Sequence, residues 1–145
     1  MKKIKLTLLV LLITGYACAQ NNRIYVRAGA SGAANGQSWG DAYPELQSAL
    51  AVALSGDTIW VAEGVYFPTS SFDRSVSFEP KSGVSVFGGF AGFENSLNQR
   101  DWTIHPVVLS GDIGLQGDST DNSYNVVYLF QPDSNTVLDG LIMRD

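Results

Sequence analysis

Short apolar runs return along this chain at intervals of roughly twenty residues, and no other feature restricts its fold as much. The first is "TIWVA", Thr58 to Ala62, held between Gly56 and Gly64; others follow at 83–90, 105–112, 125–130 and 135–143. Measured from Ile59 to Val84, Val107 and Val126, the steps are 25, 23 and 19 residues. β-Branched and aromatic residues in short runs, separated by Gly, Asn, Asp and Ser, predict strands joined by turns. Strands spaced this way build either a sandwich or a solenoid. The solenoid is favoured because no two-residue Asn-Gly hairpin joins the runs and because they are nearly continuous in apolar character, as strands stacked between neighbours are. Within the first run, alternation places Trp60 on the face opposite Ile59 and Val61, either outward or beneath a loop.

One helix precedes these strands. Leu46, Ala49, Leu50, Ala53 and Leu54 fall at i, i+3, i+4, i+7 and i+8, the stripe of an amphipathic helix over 44–54. Pro44 suits its first turn, Asp41 its cap region and Gly56 its end. Before it, Ile24 to Arg27 reads as a short strand, followed by a loop of Gly, Ala, Ser and Asn. In a solenoid the helix would cover the open first layer.

The first nineteen residues belong to a different class. Lys2, Lys3 and Lys5 precede the apolar "LTLLVLLI", and "ACA" at 17–19 offers small residues for cleavage, which predicts a secretory signal peptide, too short for a bilayer span. Secretion or outer-surface display follows, with no transmembrane segment after cleavage. Lipid attachment at Cys18 is the lesser alternative, since Gly15, Tyr16 and Ala17 supply no aliphatic residue three positions before it. Cys18 is the single cysteine, so the mature chain has no disulfide and relies on apolar burial and backbone hydrogen bonds. Without the leader, six basic residues face fourteen acidic ones, a net charge of −8, which argues against nucleic acid as a partner.

"IYVRAGASGAANGQSWGDAYPELQSALAVALSGDTIWVAEGVY", then "VSVFGGFAGFENSLNQRDW" and "VVLSGDI", resembles the amino-terminal part of secreted right-handed parallel β-helix proteins, which share the pectate-lyase-like fold and are common as large surface proteins of Bacteroidetes-type bacteria. The resemblance spans the mature chain. It implies an all-β, right-handed parallel β-helix in which residues 20–145 form one capping α-helix and the first coils. Members run for several hundred residues, so the ending of this chain at Asp145 is read as truncation. The resemblance supplies no activity, because such proteins include lyases, hydrolases and adhesins. A non-catalytic structural or binding module for polysaccharide or cell-surface glycans is the expected role. The alternatives are an adhesin, or the front of a polysaccharide lyase or glycoside hydrolase with catalytic coils beyond residue 145.

Candidate chemistry is sparse. Asp112, Asp118 and Asp121, with Asn122, sit on a glycine-punctuated loop that offers oxygen ligands for calcium, although the spacing is not that of an EF-hand. The competing role of these residues is to make turns. No other cofactor is expected. Arg100 reads as a bridge to loop carbonyls and carboxylates. His105, the only histidine, has no sequence partner for a triad, and zinc lacks a ligand set. The aromatics are assigned mainly to packing, with sugar stacking as the functional alternative, and Phe90 and Phe93 to pinning the turn at 88–94. No catalytic residue is assigned.

Overall fold

The computed structural model describes residues 22–145. The predicted signal peptide, its cleavage site and Cys18 lie outside them. Among the described residues seven short strands form two sheets, both wholly parallel. The first sheet holds β1 (Arg23–Val26), β2 (Thr58–Ala62), β4 (Ser85–Phe90) and β6 (Val137–Asp139), in that order. The second holds β3 (Gly64–Tyr66), β5 (Val107–Ser110) and β7 (Leu141–Arg144). From β2 onward the chain visits the two sheets alternately.

Two of the apolar segments turn a corner where the chain changes sheet. Glu63 separates β2 from β3, and Gly140 separates β6 from β7, so the predicted run at 135–143 is two strands. Register then builds the core. Ile24, Ile59, Val86 and Leu138 stand side by side across the first sheet, while Val107 and Leu109 face them from the second. Tyr66 joins this core and directs its hydroxyl to the backbone, donating to the Ala62 carbonyl at 2.8 Å and accepting from the Ala28 N–H at 3.1 Å. Burial pushes its pKa up to about 12.

The outer edge of β1 is covered rather than open. Tyr25 N–H donates to the Gly36 carbonyl at 2.9 Å, and Tyr25 and Arg27 exchange bonds with Tyr43, also at 2.9 Å. Such cover removes an edge that would otherwise recruit another strand. Above it, α1 (Leu46–Val52) buries Leu46, Ala49 and Leu50 against Ile24, Val26 and Ile59.

Three expectations need correction. The helix has seven residues and begins after Glu45, with no side chain capping it; Asp41 instead accepts from Ala33 N–H and the Ser38 hydroxyl within the preceding loop. Leu54 is 67% exposed, because the chain turns extended at Ala53 before the apolar stripe reaches it. The run at 125–130 forms no strand of either sheet: Val127 makes a lone parallel bridge to Phe78, and Tyr128 to Phe130 are exposed. The regular interval of the sequence is therefore broken there, and β4 waits until Val137 for its next neighbour.

Candidate functional site

The acidic loop lies between β5 and β6. Both carboxylate oxygens of Asp112 accept the Gly117 N–H at 2.9 Å. Asp118 accepts from the Thr120 hydroxyl at 2.6 Å and its N–H at 2.9 Å, and these two bonds hold its carboxyl below the usual aspartate range. Asp121 Oδ2 accepts the Leu115 N–H at 2.8 Å. Each aspartate thus holds a turn, and the structure does not gather the three: among the described residues no group of three His, Cys, Asp or Glu side chains is placed to hold a metal ion. A different set stands out instead. Asp121 Oδ1, Asn122 Oδ1 and Ser123 Oγ are buried and without any hydrogen-bond partner. Ser123 escapes a sequence reading because a serine in such a loop looks like any other turn residue.

The outer face of the first sheet carries a cluster of aromatics, Tyr25, Trp39, Trp60 and Phe90. Trp60, opposite Ile59 and Val61 as alternation requires, stacks on Phe90 with centroids 4.5 Å apart and lies under the Arg23 guanidinium at 3.8 Å. Trp39 from the Gly-rich loop packs on Tyr25 and Phe90 and donates its indole N–H to the Glu94 carbonyl at 2.8 Å. Trp60 is therefore sealed beneath a loop and is only 3% exposed. Glu94, also buried, accepts the N–H groups of Ala91, Gly92 and Phe93 and holds that turn closed. Phe90 is fully buried in this pile and anchors the turn as expected, while Phe93 projects into solvent, so the carboxylate takes the pinning role assigned to that ring.

Beside this pile lies a surface with a different composition. Arg100 bridges as predicted: it pairs with Asp139 at 2.7 Å and its guanidinium lies 5.2 Å from both the Phe87 and Trp102 rings. Its partner Asp139 is held below the ordinary carboxyl pKa by that hydrogen bond. Leu97, Asn98, Arg100 and Trp102 line a shallow pocket in which the Trp102 ring is 53% exposed. A flat apolar ring next to planar hydrogen-bonding groups suits the apolar face and hydroxyls of a sugar. Ser96 and Gln99 close the short 3-10 turn Leu97–Gln99 by reciprocal capping, which fixes the pocket wall.

His105 finds a carboxylate that sequence spacing concealed: Nδ1 lies 2.9 Å from Glu63, forty-two positions away, at the corner between the sheets. Among the described residues the hydrogen bond found for the ring is this one to Glu63. A second pocket of about 170 Å³ is lined by Pro44, Glu45 and the 65–70 segment.

Comparison of the chain with protein-family models, curated proteins and solved structures finds no match in any of the three. No helix among the described residues is long and apolar enough to cross a membrane.

Proposed function

We propose that residues 20–145 are the amino-terminal cap and first coils of a right-handed parallel β-helix, and that this unit is a non-catalytic structural and glycan-binding module of a secreted or surface protein. The alternate feeding of two parallel sheets supports the architecture, with the registered column Ile24, Ile59, Val86 and Leu138 in one and Val107 beside Leu141 in the other. Parallel strands joined by crossovers are almost always right-handed, which selects the hand. The covered edge of β1 fits a cap, and the quoted resemblance to secreted surface proteins supports both fold and location.

The exposed Trp102 ring beside Asn98 and the Arg100–Asp139 pair carries the binding half of the reading. An ion pair beside an exposed ring can donate to one sugar hydroxyl and accept from another without being broken. A glycan array probed with the protein and with Trp102→Ala, followed by chromatography of the recovered sugars, tests it. The expected result is retention of a polysaccharide class, at least about fivefold weaker in the variant, with the glycan recovered intact. Absence of retention would overturn glycan binding, and shortened or unsaturated products would favour a polysaccharide-cleaving enzyme.

A further inference from the structure

We infer that the loop between β5 and β6 holds a hard divalent cation, calcium by ligand preference, on Asp121, Asn122 and Ser123. These three consecutive side chains present the only buried, partnerless polar side-chain atoms found among the described residues, and all three atoms are oxygens. Ser123 is 7% exposed, so water cannot reach its hydroxyl from outside. Buried polar groups are paired as a rule, and an unpaired set signals an ion or an internal water.

The chemistry favours the ion. A carboxylate, an amide carbonyl and a hydroxyl all offer lone pairs, and no nitrogen or sulfur donor accompanies them, which is a calcium set rather than a zinc set. Asp121 brings a carboxylate whose Oδ2 accepts from one neutral amide, the Leu115 N–H, at 2.8 Å. Burying carboxylate oxygen without a counter-charge is unfavourable. The Arg74 guanidinium touches the same segment without reaching these three oxygens: it donates to the Asn122 backbone carbonyl at 2.7 Å and lies 4.5 Å from the Tyr124 ring. A cation in the loop would neutralise Asp121 and take up the amide and hydroxyl oxygens together.

The loop is shaped to close over these groups. Ile113 and Ser123 N–H both donate to the Gly111 carbonyl at 2.8 Å, so residues 111–115 lie across 121–123. Gly114 permits this, since a Cβ there would come within 2.5 Å of Asp121 Oδ2 and 2.7 Å of the Phe72 ring. Calcium takes six to eight oxygens, and three side chains therefore predict a weak site, with Kd on the order of 10⁻⁴ to 10⁻³ M. The inference does not depend on the β-helix or glycan-binding readings.

The protein, stripped of metal, would be melted in EDTA, in about 5 mM Ca²⁺ and in about 5 mM Mg²⁺, and titrated with Tb³⁺ while exciting neighbouring Tyr124. Calcium is expected to raise Tm by about 5 °C, with less than half of that from magnesium, and to displace the Tb³⁺ emission. Ser123→Ala and Asp121→Asn should each remove most of the shift and the emission. Asp118→Asn, which alters an exposed turn of the same loop and lowers the charge equally, should retain both. Should Asp121→Asn fail to fold, Ser123→Ala decides alone. Identical melting in calcium and EDTA with no Tb³⁺ emission would overturn the site and leave an internal water, as would a shift undiminished in Ser123→Ala or lost equally in Asp118→Asn.

Discussion

Glu94 shows how one buried side chain can hold a loop that has little core of its own. Burial opposes its ionisation, yet the N–H groups of Ala91, Phe93 and Gly92 outweigh that and hold its pKa below the usual 4.5. A carboxyl with a depressed folded pKa stabilises the protein above its unfolded pKa, and that contribution is lost as pH falls through the folded value. Glu94→Gln replaces one acceptor oxygen with an amide NH2 facing backbone N–H groups, and is expected to cost about 2 kcal/mol in urea unfolding at pH 7. Its deficit relative to the parent protein should shrink as the pH drops below 4.5, because the parent then loses the same ion. A constant deficit from pH 7 to pH 3 would show that Glu94 acts through shape alone. The glycines around it were readable as a turn from sequence; the carboxylate that closes the turn was not, since a Glu next to Phe93 looks like an exposed charge until Trp39 is seen covering it.

At the scale of elements, what could be read from sequence is what is local. Alternation within β2 correctly separates Trp60 from Ile59 and Val61, and the 3.6-residue stripe locates Leu46, Ala49 and Leu50. Sequence spacing alone does not stop the helix, so it assigns Leu54 to the buried face. Leu50→Ala is therefore expected to cost about 2–4 kcal/mol, and Leu54→Ala under about 0.5 kcal/mol, both by chemical denaturation; equal costs would restore the longer helix. The corners depend on contacts between distant segments. Gly140 has φ +70°, and a Cβ there would lie 2.7 Å from the Gly88 carbonyl oxygen and 3.1 Å from the Arg100 guanidinium. Left-handed backbone alone costs a non-glycine residue about 1–2 kcal/mol, so Gly140→Ala should destabilise by about 2 kcal/mol or more and loosen the Arg100–Asp139 pair. A cost below about 0.5 kcal/mol would mean that this corner relaxes without the close approach. The run at 125–130 failed as a strand for a related reason: it has the composition of one, but among the described residues it bridges Phe78 alone.

For the whole molecule, the question is whether two parallel sheets fed by one chain fold as one body. Their inner faces share a single apolar cluster in which Ile59 and Val86 of the first sheet meet Leu109 and Tyr66 of the second. From β2 onward every pair of hydrogen-bonded strands has a strand of the other sheet between them in sequence, so neither sheet can complete itself before the chain has crossed to the other. The tryptophans provide a probe of one side only: Trp39 and Trp60 stack against the first sheet, and the backbone of Trp102 packs on Gly89 of β4. Leu109→Ala removes a side chain from the second sheet and should cost about 2–5 kcal/mol. If the cluster couples the sheets, tryptophan fluorescence and far-ultraviolet circular dichroism will lose their signals at one shared, lowered midpoint. Independent sheets would leave the fluorescence midpoint where it was and shift only part of the dichroism. The coupled outcome follows from the geometry, because Leu109 is 1% exposed and its neighbours in the cluster come from both sides. A void there removes contacts from the first sheet as directly as from its own.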